Sequence, residues 1–263
     1  MAVIPITSIA DERLQPYRDL PHSRLPRDSK LFIAEGRLLV ERLLANDFRA
    51  HSVLAKDTSV NWFQQRLEED VPVYSLPRKL IEEVIGFDFH HGLLACGYRK
   101  PLPLLDDAIP AADKPATIVV CVDIQDPENL GGILRNCAAF GVDTVILNSN
   151  SCDAFSRRVL RVSMGTAFQL RLVESADLAT DLRRLSAEFD VELAATVLSR
   201  DAEPLATMDR PNRFGLLLGN EAHGLDETWQ ALCQRRVTIP MEFSTDSLNV
   251  AVASGIFLYH FSR

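Results

Sequence analysis

Between Ala34 and Tyr98, apolar residues alternate between helical spacing and short extended runs. Glu35 to Ala45 is leucine-rich and amphipathic and predicts a helix. His51 to Ala55 predicts a strand, Val60 to Leu67 a helix, Val71 to Tyr74 a strand, Arg78 to Ile85 a helix and Gly92 to Gly97 a strand. Together they form a small α/β unit of about a hundred residues, an ordinary domain size. From Lys100 to Pro115 the periodicity fades while Pro101, Pro103, Pro110 and Pro115 accumulate, the composition of an inter-domain linker. The expected division is a domain over 1–100, a linker over 101–116 and a second domain over 117–263.

The second half has a different rhythm. Thr117 to Val122 is a continuous β-branched run, the mark of a strand buried on both faces, and similar runs occur at Thr144 to Leu147, Val191 to Val197 and Phe214 to Leu218. Helical segments lie between them. Strands alternating with helices predict a mostly parallel sheet covered on both sides, and such sheets bind ligands beyond the carboxyl ends of their strands. The loops after Val122 and Leu218 are therefore the places to look for a site.

Composition narrows the classes. The 263 residues carry a net charge of −8, so any contact with nucleic acid must come from local basic patches rather than the overall field. Arg24, Arg27, Lys30 and Arg37 form one such cluster, and Arg157, Arg158 and Arg161, with Arg171 further on, form another; a solvated face is the commoner meaning of such clusters. Cys96, Cys121, Cys137, Cys152 and Cys233 are scattered, odd in number and without zinc-type spacing, so they read as reduced core residues. His22, His51, His90, His91, His223 and His260 form no metal-type pair, and no metal is expected. No apolar run approaches the ~20 residues of a membrane span, and no signal peptide opens the chain. A cytoplasmic protein with no membrane association is expected.

Three segments carry candidate chemistry. The first runs from Asp126 to Arg135, with Asn129 as a candidate N-cap and Arg135 leaning back over Gly131 and Gly132, where a ligand has room to approach the backbone. A glycine-containing helix packed tightly on its sheet, with an exposed arginine, explains the same residues equally well. The second is Gly219-Asn220-Glu221-Ala222-His223-Gly224-Leu225, where a carboxylate stands at a strand's carboxyl end; a plain turn is the alternative. The third is Ile239-Pro240-Met241 followed by Ser247-Leu248-Asn249-Val250 and a helix to about Phe261. Ser247 is the expected cap, leaving Asn249 in the first turn with its amide free, and the helix is apolar on nearly all sides.

In this order the three segments resemble the three motifs of the SpoU/TrmH family of the SPOUT superfamily. Asn129, Gly131 and Arg135 match the first, Gly219, Glu221 and Gly224 the second, and Ile239-Pro240-Met241 with Ser247-Leu248-Asn249-Val250 the third. Lys30, Phe32, Glu35 and Gly36 are similar to the R-x-x-x-F-x-x-E-G pattern that opens the substrate-binding domain of two-domain members. Asn136-Cys137, Ala222 and Phe243 depart from the usual pattern. The resemblance implies a C-terminal α/β-knot, a trefoil knot with a mostly parallel sheet, behind a smaller N-terminal α/β RNA-binding domain. It implies S-adenosylmethionine as cofactor, held near Leu218, Gly219, Ile239, Met241 and Leu248, and a homodimer of knotted domains. No G-x-G-x-x-G follows any strand, so a dinucleotide cofactor is disfavoured.

The activity implied is methyl transfer to an RNA ribose 2′-hydroxyl, with Asn129, Arg135, Glu221, Ser247 and Asn249 as catalytic candidates. Arginine is a poor base, so Arg135 is expected to hold the target phosphate and stabilise the developing alkoxide. Ribosomal RNA is the first expectation for substrate and transfer RNA the second. A non-catalytic RNA-binding protein and a nucleotide-dependent oxidoreductase are the rivals, separable by titration with S-adenosylmethionine and NAD.

Overall fold

The computed structural model describes residues 2–21, 29–57, 59, 67, 70–89, 92–242 and 247–262. The helix expected from Val60 to Leu67 falls on residues 60–66, outside that set, as do His22, Arg24, Arg27, His90, His91 and Phe243. The chain divides into two compact units, Met1–Pro101 with Phe155–Phe168, and Leu102–Ala154 with Gln169–Arg263.

The first unit is built on strands β1 (Ala2–Pro5), β2 (Leu31–Glu35), β3 (Ala50–Lys56), β4 (Pro72–Leu76) and β5 (Leu93–Tyr98), with helices α1 (Arg37–Ala45) and α2 (Arg78–Ile85). Their sheet runs β1-β4-β3-β5-β2; β1, β4 and β3 are parallel, while β5 pairs antiparallel with β3 and β2. Glu35 ends a strand instead of opening a helix, because Gly36 takes a left-handed φ of 94° that turns the chain into α1.

In the second unit the order is α3 (Leu105–Ala108), β6 (Ala116–Cys121), α4 (Pro127–Ala139) and β7 (Thr144–Asn148). The chain then passes through α5 (Arg157–Val162), which belongs to the first unit. It returns as β8 (Arg171–Ser175), α6 (Leu178–Ala187), β9 (Glu192–Thr196), β10 (Glu203–Pro204), β11 (Arg213–Leu218), α7 (Glu227–Gln230), β12 (Arg235–Thr238) and α8 (Val250–Phe261). Seven strands in the order β10-β12-β9-β11-β6-β7-β8 pair in parallel throughout. Central β11 is buried along its whole length, as its unbroken apolar run requires.

The division departs from the expected one in two respects. The stretch 101–116 is not a free linker: Leu105, Ala108 and Ile109 are buried in the core of the second unit. The buried Arg213 guanidinium donates to the carbonyls of Pro110, Ala111 and Lys114 at 3.0, 2.9 and 2.6 Å. Prolines erased the periodicity there, but the apolar residues beside them anchor the segment.

The second departure is the excursion from Phe155 to Phe168. Phe155 and Phe168 join Phe32 and Phe48 in one aromatic cluster with centroid separations from 5.2 to 6.5 Å. The Glu35 carboxylate, 2% exposed, pairs with Arg157 at 2.5 Å and Arg161 at 3.6 Å, and Arg42 donates to the Met164 carbonyl. Two members of the mid-chain arginine cluster, considered above as an RNA-binding patch, thus neutralise a buried carboxylate.

Candidate active site

All three motif segments meet at the carboxyl end of the parallel sheet. There a cavity of about 630 Å³ is lined by Asn129 from α4, by Leu218 to Leu225 after β11, and by Ile239, Met241 and Ser247 to Val250 before α8, with Thr196 to Ser199 after β9. Gly219 is forced at its position, because a Cβ there would lie 2.4 Å from the Gly224 carbonyl carbon and 2.5 Å from the Leu225 nitrogen. The loop closes on itself, with Asn220 and Gly224 bridged and Gly224 at a φ of 67°.

A chain of hydrogen bonds runs along one side of the cavity. Asn249 Oδ1 accepts from the Ala251 and Val252 amides at 2.9 and 3.2 Å, so its Nδ2 points away and donates to Asn129 Oδ1 at 2.7 Å. That fixes the Asn129 amide, whose Nδ2 donates to Glu221 Oε1 at 3.1 Å. Glu221 also accepts from the Asp126 amide at 3.0 Å and the Gln125 amide at 3.3 Å. Partial burial alone would raise the Glu221 carboxyl. Bonds from Asn129, from its own backbone and from the Asp126 and Gln125 amides outweigh burial and hold it below its ordinary value. Glu221 is therefore ionised at neutral pH and acts here as an acceptor.

Two caps differ from expectation. Asp126 caps α4, with Pro127 in the first turn, and its Oδ1 accepts from the Glu128 amide at 2.8 Å; Asn129 lies inside the helix. Asn249, not Ser247, caps α8, and Ser247 is exposed on the cavity wall. In both cases the polar residue nearer the helix start took the cap, and in α4 this released Asn129 to reach Glu221 and Asn249.

Of the residues singled out from sequence, Asn129, Glu221, Ser247, Asn249, Leu218, Gly219, Ile239, Met241 and Leu248 share this cavity, and Arg135 does not. Arg135 is exposed on α4, and among the described residues its guanidinium has neither a hydrogen bond nor an ion pair. The opening expected over Gly132 is not there. A Cβ on Gly132 would stand 2.8 Å from that of Ala251, so this glycine lets α4 and α8 pack closely. Asn136 serves the same junction, donating to the Ala251 carbonyl at 2.7 Å and to Ser254 at 2.9 Å. Sequence reasoning missed Asp123 and Asn148 and gave Asn220 no role beyond its segment; the side chains of all three tie the strand-end loops together. The left-handed φ of 55° at Asp123 has no local sequence signal beyond the tolerance of Asp for it.

Such an arrangement defines an α/β protein with an open cavity walled by loops at the carboxyl ends of parallel strands. The chain belongs to the SpoU rRNA Methylase family, whose family model matches residues 116–259. An uncharacterised tRNA/rRNA methyltransferase of Mycobacterium bovis is 34% identical over 266 residues, covering 96% of this chain and 89% of that relative. The 23S rRNA (guanosine(2553)-2′-O)-methyltransferase RlmP of Bacillus subtilis is 27% identical, covering 97% of this chain and 98% of its own. Among solved structures, an AdoMet-bound rRNA methyltransferase from Sinorhizobium meliloti superposes with a TM-score of 0.82 at 25% identity, covering 98% of this chain and 97% of that one.

Proposed function

We propose that this chain transfers the methyl group of S-adenosylmethionine to a ribose 2′-hydroxyl of RNA, with ribosomal RNA as the substrate class and transfer RNA as the alternative. One observation carries the reading: three motifs far apart in sequence line a single cavity and are joined by the Asn249–Asn129–Glu221 chain. Membership of the SpoU family and the rRNA-methylating names of relatives in Bacillus subtilis and Sinorhizobium meliloti support it.

The cavity suits the cofactor. Its volume of about 630 Å³ lies within the ~300–1,000 Å³ of small-molecule sites, and its walls combine apolar side chains with a few fixed polar groups. Leu218, Gly219, Ile239, Met241 and Leu248 would hold it. When bound, the sulfonium supplies an electrophilic methyl group. The chain's own task is positioning and charge. Asn129 and Asn249 each keep an amide N–H beyond their mutual chain to orient the incoming ribose, and Ser247 adds a hydroxyl at the wall. Arg135, outside the cavity, holds the target phosphate and stabilises charge developing on the 2′-oxygen.

The partner and compartment belong to the same proposal. RNA affinity is assigned to the first unit, where exposed Lys30, Arg49 and Lys100 lie near Tyr98, itself 40% exposed, with the Arg49 guanidinium 5.9 Å from the Tyr98 ring centre. A homodimer is supported by Val252, Ile256 and Tyr259, which are 55%, 39% and 50% exposed at helical spacing on α8. The cytoplasm fits five free thiols, and no described helix is long and apolar enough to cross a membrane. A trefoil knot is proposed from the family resemblance and from β11 lying between β6 and β9; experimental density through 239–249 tests it, and a segment that encloses no other part of the chain contradicts it.

The enzymatic reading is tested by calorimetric titration with S-adenosylmethionine and NAD, followed by transfer of labelled methyl groups to separated RNA fractions. Binding of S-adenosylmethionine alone, with alkali-resistant label in ribosomal RNA, is expected. Cofactor binding without transfer to any RNA contradicts catalysis, and label in transfer RNA alone moves the substrate class.

A further inference from the structure

We propose that Asn148 is a positioning residue for the cofactor cavity, acting through Asp123 and Asn220 on the loop that carries Glu221. This rests on the reading that the cavity binds S-adenosylmethionine. Asn148 ends β7, is 6% exposed and does not line the cavity. Its Nδ2 donates to Asp123 Oδ1 at 2.5 Å and its Oδ1 accepts from the Asp123 amide at 3.0 Å, so both ends of its amide clasp one residue. The same Oδ1 accepts from the Ser151 amide at 3.2 Å, tying down the turn after β7.

Asp123 follows β6 in a left-handed conformation, φ 55°, which Asp tolerates better than most residues and which the two bonds from Asn148 hold in place. That conformation lets the Asp123 carbonyl accept from Asn220 Nδ2 at 2.8 Å. Asn220 Oδ1 in turn accepts from the Ala222 and His223 amides at 2.9 and 3.2 Å, folding the loop around Glu221. Glu221 then accepts from the Gln125 and Asp126 amides, which lie two and three residues past Asp123. The loops after β6 and β11 are thus joined at both Asp123 and Glu221, and Asn148 sets the conformation on which the first junction depends. An aspartate in its place keeps the acceptor and loses the donor, setting two carboxylates against each other.

The test uses the full-length chain with Asn148→Asp, Asn220→Asp and the double variant, read by calorimetry with S-adenosylmethionine and by hydrogen exchange at the Gln125, Asp126 and Ala222 amides. Each single variant is expected to weaken cofactor binding about tenfold, the scale of one hydrogen bond left unmade. Exchange at the three amides should rise, while the melting temperature falls by only a few degrees. Because Asn148 and Asn220 both bond Asp123, the double variant should lose far less than the product of the single losses. Multiplying losses, or a lowered melting temperature with affinity and exchange unchanged, would overturn the proposal. If Asn148→Asp does not fold, Asn220→Asp reads the same link from the other side. If the wild-type chain binds no S-adenosylmethionine, the proposed function fails, and exchange at the three amides still decides the positioning role.

Discussion

Asn129, Glu221 and Asn249 form a unit in which no amide is free to flip, because the α8 cap fixes Asn249, which fixes Asn129, which faces a carboxylate already holding two backbone amides. These residues were legible as candidates because their types and order match the family motifs. Their mutual bonds were not, since they span separations of 92 and 120 residues. Folding depresses the Glu221 pKa, so its contribution to stability is full above the ordinary glutamate value of ~4.3 and is lost as pH falls through that value and the lower folded one. Thermal melts of wild type and Glu221→Gln should therefore differ most at neutral pH and converge in acid; a constant gap contradicts the assignment. Arg135→Ala should leave calorimetric cofactor affinity unchanged while single-turnover methylation falls by ~10²-fold, the scale of one lost charge-stabilising donor. Arg135→Lys should rescue poorly, since an ammonium lacks the two-pronged phosphate contact. Near wild-type methylation by Arg135→Ala, or loss of cofactor binding by a folded variant, would remove Arg135 from the site.

Long apolar runs such as Phe214 to Leu218 declared their strands, whereas β1, β8, β10 and β12 are short or edge-placed and carry little pattern. Gly132 shows why one residue supports opposite readings from sequence: absence of a side chain admits either a ligand or a helix, and only the position of Ala251 decides. Gly132→Val should push α8 away from α4, costing ~1–3 kcal/mol by overpacking and weakening cofactor binding through Asn249, which caps α8. Denaturant unfolding with calorimetry measures both, and an unchanged midpoint would contradict the packing role. Proline content hid the anchoring of 101–116 because the decisive partner, Arg213, lies about a hundred residues away in β11. Arg213→Leu should destabilise the second unit by ~1–3 kcal/mol in denaturant unfolding, since it removes the buried guanidinium that ties the carbonyls of Pro110, Ala111, Lys114 and Phe189 together.

The two-unit composition was visible as a change of rhythm near residue 100, but the excursion from Phe155 to Phe168 was not, since nothing local marks a helix as belonging to a sheet over a hundred residues earlier. A chain cut to 102–263 would uncover Phe155 and Phe168 and leave Arg157 and Arg161 without Glu35, so it should aggregate unless those aromatics are replaced by polar residues. Sedimentation of the cut chain with and without Phe155→Ser and Phe168→Ser checks this, and a soluble unmodified fragment contradicts it. Light scattering of the full chain should give about twice 29.3 kDa, and Ile256→Glu on α8 should shift it toward the monomer; an active monomer at micromolar concentration would rule out the dimer. The most direct test of methyl transfer to RNA is a map of ribose 2′-O-methylation across total RNA from cells with the gene, without it, and with the Arg135→Ala allele. Loss of a ribosomal RNA 2′-O-methyl group in both altered strains is the predicted result. An unchanged map, or loss of a base methylation instead, would contradict it.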